Sequence, residues 1–533
     1  MKKMKYIWMA LAGFMLLTTG CIKDLDTVPL DEDQTTAATV FDDPAAYKEI
    51  LAKLYGGLAL SGQQGPAGQP DISGIDEGFG QYLRALWYHE ELPTDEAIIS
   101  WNDQTIHDFH NQSWNSSDVF VSAMYYRIFY QITACNEYLR QTTDEKLDER
   151  GVEGDLRNEI KTYRAEARFL RALSYWHALD LFGNVPFVTE NDPIGAILPE
   201  QIKRKELFDY IESELLDIEP QLPDAGPNSE TYGRATKAAD WMLLAKLYLN
   251  AEVYTGEAKY DQCITYTEKV INEGGYSLDE HYEWLFLADN DQSKEVIFSV
   301  NFDGFRTQTW GGTTFIIHAA VGGDMQPSDY GIDGGWAGTR TTSAFVNKFP
   351  VDENGNGPDK RAMFFTEGQS LEINDVGNFQ DGWAITKFKN IKRDGNTGSN
   401  ATFPDTDFPM FRLADAYLMY AEAVLRGGGG DLTKALDLVN ALRERAYGDN
   451  SGDINQSQLT LDFILDERAR ELYWEGHRRT DLIRFGKFTG GAYLWPWKGG
   501  TPDGIATDSK YDLYPIPSSD VNANPNLVQN PGY

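Results

Sequence analysis

The sequence predicts a mainly α-helical protein built from tetratricopeptide-like pairs of helices. Several stretches carry apolar residues at helical spacing, and these stretches occur in pairs with glycine-containing breaks between them. Two long segments, 61–117 and 299–408, lack this periodicity and are rich in Gly, Asp, Asn, Thr and aromatic residues. We expect these insertions to form irregular loops with short β-strands that carry the ligand site, because binding residues commonly lie on loops held by a rigid frame. An ordinary helical bundle is the alternative fold.

The paired helices are predicted at five stretches, which are 164–182, 236–251, 260–271, 413–425 and 435–446. The first ends before Gly183, and the third ends at Gly274, as is typical of helix termini. Four glycines at 427–430 separate the last two helices. The short runs 296–301 and 313–317 are interpreted as β-like segments.

The stretch 461–488 predicts the helix around which the rest of the chain is organised. Its apolar and aromatic residues recur at helical spacing, and the remaining positions are densely charged. Asp466 and Arg470 are spaced as a favourable i, i+4 ion pair. Gly476 permits a sharp change of direction. We interpret the charges as a structural ion network, because paired signs on one helix are typical of scaffold.

The charge balance excludes several classes of partner. The chain carries 47 Lys and Arg against 82 Asp and Glu, a net charge of −35. Nucleic acids and anionic polymers would be repelled, so no nucleic acid is expected as a partner and a neutral ligand is favoured. Cys135 and Cys263 lie on predicted helices and are expected to be buried free thiols.

The amino terminus predicts export and lipidation. Residues 1–20 combine early lysines with a short apolar run that ends in Gly20, which is typical of a signal peptide. Cys21 follows directly and is the predicted lipidation site, although Thr18 stands where an aliphatic residue is usual. Residues 21–40 are interpreted as a lipidated, flexible tether, and residues 41–533 as one globular domain. A diacylated cysteine with further acylation would anchor the chain stably in a membrane.

Catalytic signatures are missing from the sequence, which contains no GxSxG, no HExxH, no P-loop and no dinucleotide-binding fingerprint. An acid pair for a helical glycoside hydrolase could be drawn from Glu90, Glu91, Asp95 and Glu96. This enzyme is kept as an alternative, although solvated or capping roles are expected for these carboxylates. His107 and His110 have no third metal ligand nearby and are interpreted as structural.

Tryptophans within the insertions indicate carbohydrate binding. Five of them stand among polar residues where no apolar periodicity would bury them, namely Trp101, Trp114, Trp310, Trp336 and Trp383. An aromatic face stacks on the C–H face of a sugar ring, while polar neighbours reach its hydroxyl groups. The alternative is that each indole packs beneath its own loop.

Several blocks in a consistent order resemble the SusD/RagB family of outer-membrane lipoproteins. Near the carboxyl end these blocks are ERAREL (467–472), LIRFGKF (482–488), YPIP (514–517) and NPNLVQNPGY (524–533). Further upstream they are AEARFLRALSYW (165–176), GRATKAADWMLLAKLYLNAEVY (233–254) and FRLADAYLMYAEA (411–423). The resemblance implies one unit of four tetratricopeptide-like helix pairs, tethered by lipid to the outer face of the outer membrane. It also implies a partner, a TonB-dependent transporter of SusC type, to which the bound glycan is delivered.

Four segments resemble the glycan-contacting segments of starch-binding members of that family, namely 76–84, 91–101, 303–315 and 334–338. The resemblance places Trp310 and Trp336 on stacking aromatics and Arg84 on a hydroxyl-binding arginine. Ile99 stands where those members stack a tryptophan, and Gln104 where they have an asparagine. Trp101, two residues after Ile99, is the candidate substitute. A starch-like α-glucan is therefore the expected ligand, with a β-1,3-glucan such as laminarin as the alternative.

Calcium is the only cofactor that the sequence suggests. Asp289, Asn290 and Asp291, together with Asp405 and Asp407, supply clustered oxygen ligands of the kind calcium takes. The resemblance implies a structural ion held by Asp291, Asp405 and Asp407.

Overall fold

The computed structural model describes residues 40–533, apart from residues 194, 196 and 197. It divides the chain into two units, Met1–Ala46 and Tyr47–Tyr533. The predicted signal peptide, Cys21 and nearly all of the predicted tether lie outside the described residues. None of the helices in the described part of the chain is both long and apolar enough to cross a membrane.

The larger unit is mainly α-helical, as predicted. In chain order, the α-helices as far as residue 273 are α1 (Ala46–Ala59), α2 (Tyr82–Glu90), α3 (Asp108–Asn111), α4 (Val119–Gln141), α5 (Asp144–Glu149), α6 (Gly154–Leu181), α7 (Arg204–Ile218), α8 (Lys237–Leu249), α9 (Ala251–Thr255) and α10 (Tyr260–Glu273). Those that follow are α11 (Gly312–Ala319), α12 (Ser343–Val346), α13 (Leu413–Leu425), α14 (Leu432–Tyr447), α15 (Leu461–Leu472), α16 (Arg478–Arg484) and α17 (Ser518–Ala523).

The long helices pack in pairs, which confirms the predicted pairs of 236–251 with 260–271 and of 413–425 with 435–446. Helix α4 packs on α6, α8 on α10, and α13 on α14, while α10 also contacts α13 and so joins two pairs. The ends of these helices follow from local chemistry. Asp118, Thr236 and Asp431 each accept a backbone N–H bond at the first turn of α4, α8 and α14, respectively.

The strands are short and form two-stranded antiparallel sheets within the described residues. They are β1 (Ile98–Ile99), β2 (Val185–Pro186), β3 (Gln201–Ile202), β4 (Val296–Val300), β5 (Thr339–Arg340), β6 (Phe364–Phe365), β7 (Ala384–Ile385) and β8 (Phe408–Arg412). The predicted strand at 296–301 is confirmed as β4, which pairs with β8. The predicted strand at 313–317 is wrong, because these residues form the buried helix α11. Residues 313–317 are too few, and too uniformly buried, to show a period that separates a buried strand from a buried helix.

The stretch 461–488 forms two helices, α15 and α16, joined by a sharp turn. Gly476 lies at a φ of 78° in that turn, as expected, and Trp474 also has a positive φ of 63°. The structural ion network is confirmed, but the predicted Asp466–Arg470 pair is wrong. Arg470 instead binds Glu467 at 2.7 Å, and Asp466 binds Lys348 at 2.8 Å. A local i, i+3 pair and a tertiary pair therefore replace the predicted i, i+4 pair.

Candidate functional site

The candidate site forms where the two insertions meet. Strand β1 of the first insertion pairs with β5 of the second, in the register Ile98 with Arg340 and Ile99 with Thr339. Beyond this pairing, the Ser100 backbone N–H donates to the Gly338 carbonyl at 2.8 Å. The indole Nε1 of Trp101 then donates to the carbonyl of Trp336 at 3.0 Å. These backbone contacts bring together residues that lie more than two hundred positions apart in the chain.

Three tryptophans, Trp101, Trp310 and Trp336, form one cluster at this junction. The ring centroids of Trp101 and Trp336 are 6.3 Å apart, and those of Trp310 and Trp336 are 6.1 Å apart. Their planes are tilted by 43° and 57°, so the rings line a curved surface rather than a flat one. All three side chains are half-buried and remain accessible to a ligand. This group is called the tryptophan cluster below.

Two residues that the sequence did not identify support the tryptophan cluster from beneath. His318 stacks against Trp336 with centroids 4.8 Å apart, and its ring nitrogens lie 2.6 Å from the carbonyl oxygen of Gly334 and 3.0 Å from that of Thr402, one of which accepts the ring N–H. Phe403 packs on Trp310 at 5.0 Å. The cluster therefore has a packed base, which keeps the ring orientations fixed.

Arg84 lies beside the tryptophan cluster on α2. Its Nε donates to the Tyr88 hydroxyl at 2.9 Å and its Nη1 donates to the Trp310 carbonyl at 2.7 Å. The guanidinium carbon also lies 4.5 Å from the centroid of the Phe315 ring. An arginine has five N–H donors, so donors remain for the hydroxyl groups of a ligand. The side chain is half-buried and held in place before any ligand binds.

Gln81 connects Arg84 to the turn that follows Trp310. Its Oε1 accepts the Arg84 backbone N–H and the Gly312 backbone N–H, both at 2.8 Å, and its Nε2 donates to the Leu58 carbonyl at 2.7 Å. A buried amide with three such bonds is a rigid brace. Gln81 immediately precedes the first turn of α2, a position at which polar residues commonly cap helices. That position is the sequence signal by which Gln81 could have been identified.

The remaining candidate residues have different environments. Ile99 is fully buried in strand β1 and does not reach the surface. Gln104 lies on an exposed turn after Trp101 with a φ of 47°, and no hydrogen bond among the described residues ties its side chain to the tryptophan cluster. The expectation that Trp114 and Trp383 are exposed is wrong. Trp114 is buried and donates its Nε1 to the Tyr533 hydroxyl at 2.8 Å, while Trp383 is buried against Phe364.

The carboxylates considered as a glycosidase pair are buried, so solvated roles are wrong, whereas the expected capping role fits Glu90, Glu91 and Glu96, which accept backbone N–H groups. Glu91 accepts the Gly476 backbone N–H at 2.6 Å, Glu96 accepts the Trp474 backbone N–H at 3.3 Å, and Glu90 accepts the Thr480 hydroxyl at 3.1 Å. Asp95 pairs with Arg478 at 2.7 Å. Burial raises the pKa of Glu90 to about 8 and that of Glu91 to about 7. The hydrogen bonds and the ion pair of these four carboxylates stabilise the turn between α15 and α16.

His107 and His110 lie together, with ring centroids 5.0 Å apart. Within the part of the chain that the structure describes, no group of three or more metal-ligating side chains converges on an ion. Burial lowers the pKa of His110 to about 3, so its imidazole is neutral at physiological pH. The pair has the features of structural histidines.

The carboxylates of Asp291, Asp405 and Asp407 line one cleft with a volume of about 640 Å³. Asp405 accepts the Gly304 backbone N–H at 2.9 Å, and Asp407 accepts the Phe302 backbone N–H at 2.7 Å. Burial, together with repulsion from the other two carboxylates, raises the pKa of Asp407 to about 7. The oxygen ligands suit calcium. In the described residues, however, no three such side chains converge closely enough to hold a metal ion.

Comparison with known proteins assigns the chain to a family. A model described as "SusD family" matches residues 367–533, and a model described as "Starch-binding associating with outer membrane" matches residues 80–249. The chain is 38% identical to the starch-binding protein SusD of Bacteroides thetaiotaomicron, over 97% of this chain and 96% of the relative. The chain belongs to the SusD family. A SusD-like protein of Formosa agariphila, P25, is 28% identical over 68% of this chain and 71% of its own length.

Solved structures of the SusD family have the same fold. A SusD superfamily protein from Parabacteroides distasonis aligns with a TM-score of 0.70 and 23% identity, covering 92% of this chain and 99% of the other. Surface glycan-binding protein A from Bacteroides thetaiotaomicron, solved in complex with laminarihexaose, aligns with a TM-score of 0.69 and 21% identity. That alignment covers 91% of this chain and 99% of the other. At these identities the likeness establishes the SusD fold alone.

Proposed function

We propose that this chain is a non-enzymatic cell-surface protein that captures starch-like α-glucan oligosaccharides. The observation that carries the proposal is the tryptophan cluster, in which three accessible rings converge beside the fixed guanidinium of Arg84. Each ring can stack on a sugar face and contribute about 1 kcal/mol. The identity of 38% to a starch-binding protein supports an α-glucan as the ligand.

The shape of the site also supports this ligand. The tilts of 43° and 57° between neighbouring rings present a curved surface, which suits a glucan that coils rather than one that lies flat. A β-1,3-glucan remains the second candidate, because a protein of the same fold was solved with laminarihexaose. The glycoside hydrolase alternative is weakened, because its candidate carboxylates are buried beneath the α15–α16 turn.

We further propose that the protein is anchored by lipid at Cys21, faces outward from the outer membrane and delivers the glycan to a SusC-like TonB-dependent transporter. Membership of the SusD family supports this arrangement, since one matching model describes proteins that associate with the outer membrane. The signal-like residues 1–20 and Cys21 support it from the sequence.

The capture function is tested by affinity electrophoresis of residues 41–533 on amylopectin and, in parallel, on laminarin. The parent protein is expected to be retarded more strongly by amylopectin. Trp336→Ala should lose most of this retardation, because it removes the central ring of the tryptophan cluster. Trp284→Ala is the matched control, since Trp284 is also half-buried but contacts Arg393 and His281 instead. Equal retardation of Trp336→Ala and the parent would contradict the proposal.

We propose calcium as a structural ion in the cleft lined by Asp291, Asp405 and Asp407. Burial raises the pKa of Asp407, repulsion from Asp291 and Asp405 adds to this shift, and that repulsion supports a bound cation. The side chain of Asp291 is exposed and can rotate toward the other two carboxylates. Calcium also accepts backbone and amide oxygens, so fewer than three carboxylates can suffice.

Calcium binding is tested by thermal unfolding with calcium and with EDTA. An ion at about one hundred times its Kd stabilises the folded state by about 2.7 kcal/mol, which for a domain of this size raises Tm by about 2 to 3 °C. Asp405→Asn should abolish this rise, whereas Asp329→Asn, an exposed aspartate outside the cleft, should retain it. An unchanged Tm of the parent on addition of EDTA would exclude the ion.

A further inference from the structure

An exposed phenylalanine is held on an ordered loop close to the tryptophan cluster. Phe305 is 69% exposed, the second most exposed of the large apolar side chains in the described residues. Its loop is not loosely attached. Asp303 Oδ1 accepts the backbone N–H groups of Phe305 at 2.9 Å and Arg306 at 3.0 Å, and the Asp303 N–H donates to the Thr307 hydroxyl at 2.7 Å. The ring is therefore presented to solvent by a braced turn.

Phe305 borders a groove rather than an open surface. It lines the cleft of about 640 Å³, together with Asn301, Thr307 and Asp394. A second cavity, of about 300 Å³, adjoins this cleft, because both are lined by Tyr232, Asp291 and Gln292. The two cavities together are called the side groove below. Its lining combines aromatic rings with amide, hydroxyl and carboxylate groups.

Two separate chain segments lead from the tryptophan cluster into the side groove. The loop 303–310 has Phe305 in the groove and Trp310 in the cluster. The second segment has Phe403 packed on Trp310 and Asp405 in the groove. Residues two apart have Cα atoms at most about 7 Å apart. The groove therefore begins within a distance that an oligosaccharide of a few units spans.

We propose that the side groove is a second glycan-binding surface that takes further units of the same polysaccharide, with Phe305 as its stacking ring. This inference rests on the proposed function. The carboxylates of Asp303 and Asp394, which line the groove but are not proposed calcium ligands, repel anions and accept hydrogen bonds from hydroxyl groups, which favours a neutral sugar. Asn301, Gln292 and Thr307 add amide and hydroxyl groups that can both donate and accept. Long chains bind across both surfaces, whereas short oligosaccharides occupy only the tryptophan cluster.

The test compares short and long maltooligosaccharides by isothermal titration in a buffer that contains calcium. Phe305→Ala should weaken binding of the long chain about fivefold and leave the affinity for maltotriose unchanged, because only the long chain reaches Phe305. Leu216→Ala is the matched control, since Leu216 is an exposed apolar residue on α7, away from the lining of the groove. Trp336→Ala should weaken binding of both ligands. Phe305 is exposed, so its removal is expected to leave Tm unchanged.

Three other outcomes would contradict the side groove, the capture function or both. If Phe305→Ala binds the long chain as the parent does, the side groove is not a glycan surface and the capture function survives. If Phe305→Ala weakens both ligands equally, the ring acts within the tryptophan cluster and the separate groove is rejected. If the parent binds neither ligand, the capture function and the side groove fail together.

Discussion

At the scale of single residues, the site depends on close contact between the indole of Trp101 and the backbone of the loop that leads into β5. A Cβ atom added at Gly338 would lie 2.6 Å from Cε2 of Trp101, which is closer than two carbon atoms can pack. Glycine at this position therefore lets the indole lie flat against the loop and reach the Trp336 carbonyl. Gly334, four residues earlier in the same loop, has open space around its Cα.

These two glycines provide a paired prediction. Gly338→Ala should displace the Trp101 ring, lower glycan affinity about fivefold and destabilise the fold by about 1 to 3 kcal/mol through overpacking. Gly334→Ala should leave both quantities close to those of the parent. Isothermal titration and urea unfolding measure the two effects. Similar affinities for the two variants would show that Trp101 does not contribute to the site.

At the scale of elements, buried ion pairs join α15 to segments far away in the chain. The Glu471 carboxylate on α15 binds Arg412 of β8 at 2.7 Å, Arg361 at 3.0 Å, and Arg445 of α14. The Glu471 and Arg361 side chains are completely buried, and those of Arg412 and Arg445 nearly so. Burial alone would raise the pKa of Glu471, but the three guanidinium groups hold it well below its usual range.

Breaking this network should cost far more than breaking a surface pair on the same helix. Glu471→Gln leaves three buried arginines short of a counter-charge, so we expect a loss of about 3 to 5 kcal/mol in the free energy of unfolding. Asp462→Asn, which removes a pair to Lys487 from the exposed side of α15, should cost less than about 1 kcal/mol. Urea unfolding of both variants measures the difference. Equal midpoints would mean that the buried network does not stabilise α15.

At the scale of the whole molecule, buried carboxyl groups make the stability depend on pH. Burial raises the pKa values of Glu90 to about 8 and of Glu91 to about 7. Between about pH 4.5 and 8 the folded protein therefore keeps protons that the unfolded chain releases, so stability falls as the pH rises.

Glu422 and Glu467 have the opposite effect on the pH dependence of stability. Burial opposes their ionisation, but arginine partners lower both pKa values to about 2, so their contribution is present above about pH 4.5 and is lost as the pH falls toward 2.

We therefore expect the greatest stability near pH 5. Thermal unfolding should give a Tm about 2 to 5 °C higher at pH 5.5 than at pH 8, and the net charge of −35 acts in the same direction. Glu91→Gln removes one of the raised carboxyl groups and should reduce this difference. A Tm that is higher at pH 8 than at pH 5.5 would contradict the raised pKa values.

Helix positions could be predicted from the sequence because their signals are local. Thr236 predicted the start of α8, and the glycines after 425 predicted the break between α13 and α14. The same local signals failed at 313–317, because every residue of α11 is buried and the run is too short to show a helical period. Arg84, Trp101, Trp310 and Trp336 were each identified from the sequence, and the structure brings them together.

The sequence by itself determined the helical pairs, the two insertions and the family, because periodicity, breaks and ordered motifs are written along the chain. Only the tertiary structure decided which indoles are buried. Trp114 and Trp310 have similar polar neighbours in sequence, yet Trp114 is covered by Tyr514 and Tyr533 from the far end of the chain. It also decided that Gln81 braces Arg84 and that Glu467, Arg468, Arg470 and Glu471 of α15 face inward. The physical reason is that burial and ion pairing depend on partners distant in the chain, which no local pattern reports.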